Sequence, residues 1–151
     1  MRKVSRSALV PYSARQMYVL VEDVESYPEF LPWCGGAILH WRDGDVLEGS
    51  VEMHIAGLRR SFRTRNRMRE YEAIDMELVE GPFSHLSGGW HFKALDHLGC
   101  KVSLDVEFEV KSRTTNRLLG RYFEEICSSL VDAFVRRAED IYGAGGGGNA
   151  G

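Results

Sequence analysis

The sequence lacks what a disulfide scaffold, a membrane span or a nucleotide-binding loop would need. Its 151 residues hold three cysteines, Cys34, Cys100 and Cys127, an odd number without a CxxC pair. A disulfide framework in a chain of this size would be denser, so reduced thiols in a cytoplasmic protein are expected. No run approaches the roughly 20 apolar residues of a membrane span. Met1 to Val10 alternates polar and apolar and lacks the apolar core of a signal peptide. GxGxxG and Walker-type loops are absent, because the run Gly145–Gly148 belongs to a glycine-rich end. No internal repeat is present. Positive charge is not in excess either: the net charge is −3, so nucleic-acid binding would require a local patch. Lysine occurs only at positions 3, 93, 101 and 111, which leaves arginine to supply 15 of the 19 basic residues.

What is present suits one globular domain. Hydrophobic residues make up 44% and charged residues 27%, close to the average for folded chains. A chain of this length buries roughly two-thirds of its unfolded surface, enough for a core and a cavity. The expected domain spans 1–142, and the glycine-rich end 143–151 has no side chains to bury and is expected to be disordered.

Periodicity places the elements. A first strand, Lys3–Val10, ends at Pro11. Ser13 and Gln16 then form a capping box for a helix over Ser13–Val24, with Met17, Leu20, Val21 and Val24 on one face. Glu25–Trp33 contains Pro28 and Pro32, which allow one helical turn in a fixed loop but no long helix. Period two then takes over in six strands: Gly36–Arg42, Asp45–Ala56, Arg59–Glu70, Ala73–Glu80, His85–Asp96 and Cys100–Ser112. Their short separators, among them Arg42-Asp43-Gly44, Tyr71-Glu72 and Gly81-Pro82, imply an antiparallel meander. A helix over Thr115–Tyr142 would be about 42 Å long and carries an apolar stripe that includes Leu119, Phe123, Ile126, Phe134 and Ile141. The fold class is α+β: a curved seven-stranded antiparallel sheet wrapped around a long C-terminal helix, with two short helices after the first strand. A curved sheet does not close onto a single helix everywhere, so an internal cavity is expected.

Strand parity selects the residues that face it. Met53, Phe62, Met68, Met76, Trp90, Phe92 and Phe108 share the concave face, opposite Phe123 and Ile126 on the helix. Thr64 and Asn66 share the parity of Phe62 and Met68. Polar groups facing an apolar interior cost roughly 1–3 kcal/mol each when unpaired, which points to a ligand or water beside them. A packed core is the competing reading. On the opposite face the same strand projects Arg59, Arg63, Arg65, Arg67 and Arg69, with Glu48, Glu52, Asp75 and Glu77 on neighbouring strands. Two readings stay open: a cross-strand salt-bridge ladder, or a phosphate-binding surface that contacts RNA. His85, His91 and His97 recur every six residues, about 20 Å apart along a strand, too far to share one metal ion.

Three segments carry a family resemblance. Asp23-Val24 followed by Tyr27-Pro28-Glu29-Phe30-Leu31-Pro32-Trp33-Cys34 resembles the signature of the coenzyme Q-binding START-domain family, which includes the RatA-type ribosome association toxins. Gly81-Pro82-Phe83 with Leu86, Gly88-Gly89, Trp90 and Phe92 resembles its second motif. Val131-Asp132-Ala133-Phe134 with Arg137-Ala138 resembles its terminal-helix motif. The resemblance implies a helix-grip, START/Bet v-like fold and non-enzymatic binding of ubiquinone or a related lipid, supporting respiration. No cofactor is required beyond that bound ligand. As an alternative it implies association with the 50S ribosomal subunit that blocks subunit joining. The expected location is the cytoplasm, peripheral at the inner membrane through transient surface contact, and neither a DNA partner nor a metal is expected. Tyr27, Phe30, Leu31, Pro32 and Trp33 would form the cavity lip, and Asn66, Thr64 and Trp90 would supply hydrogen bonds to a quinone head. An older label for such sequences is oligoketide cyclase. That chemistry needs a titratable pair inside the cavity, whereas parity puts His54, His91, Asp75 and Glu77 outside.

Overall fold

A computed structural model describes residues 1–55, 57–96, 99–111 and 116–143. The chain begins with β1 (Arg2–Val10), α1 (Ala14–Glu22) and a 3₁₀ turn (Val24–Glu29). Six strands follow: β2 (Cys34–Asp43), β3 (Val46–Ile55), β4 (Leu58–Arg69), β5 (Ala73–Glu80), β6 (Phe83–Leu95) and β7 (Gly99–Val110). The long helix α2 (Asn116–Ala138) ends in a π turn, Glu139–Gly143. The expected tail from residue 144 onward, and residue 115 at the expected helix start, lie outside the described residues.

All seven strands form one antiparallel sheet in the order β1-β7-β6-β5-β4-β3-β2. β2 to β7 are the expected meander. β1 closes it by pairing with β7, from Arg2 opposite Phe108 to Val10 opposite Cys100. Because β1 and β2 are opposite edges, α1 and the 3₁₀ turn must carry the chain across the whole sheet. The capping box that starts α1 is formed as expected: Gln16 N donates to Ser13 Oγ at 3.0 Å, and Ser13 N donates to Gln16 Oε1 at 2.8 Å. Gly99 opens β7 at a φ of +101°, with a Cβ there falling 1.9 Å from the Val10 carbonyl oxygen. Only glycine fits where β1 and β7 come together.

α2 lies in the concave face, burying Leu119, Phe123, Ile126, Cys127, Val131, Phe134 and Ala138 against the sheet. Ile141 was expected on the same stripe but is 51% exposed. The π turn is wider than an α-turn, so residues beyond Ala138 rotate away from the α-helical phase. Tyr142 takes up the contact instead, its hydroxyl donating to the Gln16 carbonyl at 2.8 Å. The Tyr27-to-Phe30 motif is held from both sides. Tyr27 donates its hydroxyl to the Val21 carbonyl. Arg137 reaches from α2 to Glu29 at 3.1 Å, its guanidinium 4.7 Å above the Phe30 ring.

Candidate functional site: an apolar cavity and a charged outer face

The sheet and α2 separate enough to leave a cavity of about 100 Å³. β4 contributes Phe62, Thr64 and Asn66, and β5 and β6 contribute Met76 and Trp90. Phe123 and Ile126 descend from α2, while Tyr27 and Trp33 close the end beside the 3₁₀ turn. These nine are expected residues that the fold brings together.

The wall also contains residues that parity alone did not single out. Val24, Val51, Leu86, Leu104, Val106, Leu130 and Phe134 complete the apolar lining, with Cys127 beside them. Leu104 and Val106 were legible as one face of the last strand, and Phe134 lay on the apolar stripe of the helix. Gly49 and Gly88 line the wall too, and their missing side chains help to keep the space open. A Cβ at Gly88 would fall 2.4 Å from the Asp105 carbonyl oxygen, so glycine is required by the β6–β7 approach as well. A glycine inside a strand pattern was the available signal.

The remaining expected residues stand elsewhere, each for a packing reason. Phe30 turns outward between Phe134, 5.2 Å between ring centres, and the Arg137 guanidinium. Leu31 is buried in a separate small cluster with Cys34 and Ala133, and Pro32 is exposed. Met53 and Met68 are buried in the main core, at strand positions beyond the stretch that the cavity spans. Phe92 meets Tyr18 of α1 at 5.8 Å, and Phe108 lies beneath Phe123 at 4.7 Å. The strands are longer than the cavity, so their inward faces continue into solid packing.

Polar groups in the wall are few. Thr64 Oγ1 donates to Asn66 Oδ1 at 2.8 Å. The Asn66 amide nitrogen makes no hydrogen bond among the described residues, yet no sealed side-chain nitrogen or oxygen is left unpaired. The amide nitrogen therefore borders open space, and Asn66 lines the cavity. Burial pushes the Cys127 thiol up to about 12, with Glu124 adding to the shift, so the thiol stays protonated at neutral pH. Desolvation likewise raises the Tyr27 phenol above its ordinary range. Asp75 and His91 border a groove lined from β1, β5, β6 and β7, Glu77 is exposed, and His54 pairs with Glu52 at 2.5 Å. His85 faces Glu107 at 3.2 Å, and residue 97 lies outside the described residues.

The outer face of β4 is part ladder and part free charge. Glu48, only 4% exposed, accepts from Arg63 Nε at 2.7 Å and from Arg65 Nη2 at 2.6 Å. Arg69 approaches Asp75 at 4.0 Å. Glu52 was expected to share in the ladder but is taken by His54, which lies two residues along on the same strand. Arg59 and Arg67 make no ion pair among the described residues and are exposed.

The comparisons agree with this geometry. Residues 10–135 match the family described as polyketide cyclase / dehydrase and lipid transport. The ribosome association toxin RatA of Vibrio cholerae is 46% identical over 143 residues, covering 95% of this chain and 99% of that one. The mitochondrial coenzyme Q-binding protein COQ10 homolog B of Xenopus laevis is 29% identical, covering 92% of this chain and 59% of that one. Among solved structures, the ZhuI aromatase/cyclase of Streptomyces sp. R1128 superimposes with a TM-score of 0.84 at 18% identity, over 96% of this chain and 98% of that one. That last likeness speaks for the helix-grip fold alone. The chain belongs to the polyketide cyclase / dehydrase and lipid transport family, in the branch that holds the RatA-type ribosome association toxins.

Proposed function

We propose that this protein is a cytoplasmic ribosome-associating factor that binds the large subunit and blocks subunit joining. The observation that carries this reading is the 46% identity with a ribosome association toxin, running nearly end to end in both chains. Arg59 and Arg67, exposed and without carboxylate partners among the described residues, supply phosphate-binding groups on the outer face of β4. Arg63 and Arg65 are engaged by Glu48 and serve mainly to hold the sheet. Sucrose-gradient profiles during overexpression test the reading: free subunits accumulate and 70S particles fall. Unchanged profiles, with the protein only in the top fractions, would reject it.

A second reading concerns the cavity and is favoured by Asn66. An apolar chamber with one open amide donor suits a hydrophobic molecule that accepts a hydrogen bond, such as a quinone or a related lipid. At about 100 Å³ the chamber is smaller than the roughly 150 Å³ that holds a benzene. A substituted quinone ring therefore requires the wall to open. Binding rather than catalysis is supported by the lining, whose titratable groups are Tyr27 and Cys127, both shifted toward their neutral forms. No resident cofactor is needed. Native mass spectrometry after gentle extraction tests this. A protein that stays empty when offered ubiquinone in vesicles would overturn it.

A further inference from the structure

The cavity has a neighbour. Phe62 borders both the internal chamber and an open cleft of about 590 Å³ that is also lined by Arg60, Arg63, Leu78, Pro82 and Lys111. The cleft exists because the sheet splits. β5 ends at Glu80, opposite Arg63, whereas β4 begins five residues earlier at Leu58. A bulge at this point leaves Val79 without a partner on β4, since Arg63 pairs with Glu80 and Thr64 with Leu78. Gly81 and Pro82 then turn the chain away, leaving the first residues of β4 with no strand on that side.

Phe62 stands in the split. It is half-buried, and its ring meets Phe83 at 5.9 Å and Phe123 at 5.7 Å, both edge-on. A Cβ at Gly81 would lie 2.7 Å from the Phe62 Cβ, so the turn presses directly on this residue. Phe62 borders two volumes that are unequal in character. The inner chamber is apolar. The outer cleft carries Arg60, Arg63 and Lys111 against the single carboxylate of Glu80. Arg60 donates to the neighbouring Arg59 carbonyl at 3.1 Å, and among the described residues neither Arg60 nor Lys111 has a carboxylate partner.

We infer that Phe62 is the door between these volumes, and that the ligand is a single-chain amphiphile with an anionic head. The end of its chain passes Phe62 into the chamber, the rest lies along the cleft, and its carboxylate or phosphate is held at the mouth by Arg60 and Lys111. This inference rests on the ligand-binding reading above and adds the route and the head-group charge. It also resolves the mismatch of size, because displacing Phe62 joins the small chamber to the larger cleft. Arginine and lysine at the mouth favour an anion through charge-assisted hydrogen bonds.

The test compares oleate, oleoyl lysophosphatidate and the neutral oleyl alcohol, each added to the full chain and counted by native mass spectrometry. In the wild type both anions bind more tightly than the alcohol. The double variant Arg60→Gln/Lys111→Gln weakens the anions about tenfold or more and leaves the alcohol where it was. A loss confined to oleate or to lysophosphatidate identifies the head group as carboxylate or phosphate. Cys127 reports on the route: Phe62→Ala speeds its modification by methyl methanethiosulfonate, and bound oleate slows it. Equal binding of all three molecules, unchanged in the double variant, would overturn the anionic head while leaving the ligand-binding reading intact. Anion binding with no effect on Cys127 would overturn the route. Failure of all three to bind would overturn this inference, and the reading beneath it falls only if ubiquinone in vesicles also leaves the protein empty.

Discussion

Arg65 on β4 places its Nη2 2.6 Å from a carboxylate oxygen of Glu48 on β3, and Arg63 takes the other oxygen from the same strand. One nearly buried carboxylate thus clamps two guanidinium groups across a strand pair. The hydrogen bonds from Arg65, and after them those from Arg63, hold the Glu48 carboxyl below its ordinary range, against the opposing pull of burial. A lowered folded-state value means that the clamp adds stability above the unfolded carboxylate pKa, about 4.3. That stability is lost as the pH falls through the folded value.

Melting temperatures from pH 7 to pH 3 check this. Glu48→Gln is less stable than the wild type at pH 7, and the gap narrows as the solution is acidified below about pH 4.3. Parallel curves across the range would show that the clamp does not titrate as described.

Phe134 offers a sharper number. It is 1% exposed and meets Tyr27, Phe30 and Trp90 edge-on, at 5.5, 5.2 and 5.3 Å. Phe134→Ala costs about 3–5 kcal/mol and enlarges the chamber. Urea denaturation measures the loss. A loss below about 1 kcal/mol would mean that the helix and the 3₁₀ turn collapse into the space.

Much of this arrangement is legible in the sequence. The alternation from Cys100 to Val110, the Ser13/Gln16 capping box and the turn at Gly44 each specify geometry locally, so the meander and the first helix follow from neighbouring residues. The limits of the cavity do not. Phe62, Met68 and Phe92 all carry inward parity, but only contacts from α1 and α2 decide which of them meet empty space. Phe92 was claimed by Tyr18, a partner 74 positions away that no local pattern predicts. The same holds outside, where Glu52 had the correct parity for the arginine ladder and was captured by His54. The π turn that releases Ile141 from the helix stripe has no local signature either.

Asn66 is the polar residue on which ligand choice turns. Asn66→Leu removes the open amide and leaves the Thr64 hydroxyl without its acceptor, at a cost of about 1–3 kcal/mol. The variant folds, retains less of a carbonyl-bearing ligand such as ubiquinone, and retains more of a plain hydrocarbon. Parallel native mass spectra of wild type and variant read the ratio. An unchanged ratio would remove Asn66 from ligand recognition.

Arg59 and Arg67 separate surface function from stability. Changing both to glutamine alters folding stability by no more than about 0.5 kcal/mol, since neither holds an ion pair among the described residues. Ribosome association weakens, and its salt dependence becomes shallower by about one unit of log–log slope for each lost phosphate contact. Arg65→Gln behaves in the opposite way, lowering stability and leaving association largely intact. The two variants exchanging these roles would place the phosphate contacts on the Glu48-bound pair and remove Arg59 and Arg67 from the surface function.

Ribosome association itself is most directly tested by a sucrose-gradient profile of cells overexpressing the intact chain, with the protein followed by immunoblot across the fractions. The predicted result is a rise in free subunits, a fall in 70S particles and co-migration of the protein with the large subunit. A normal 70S peak, with all of the protein at the top of the gradient, would contradict it.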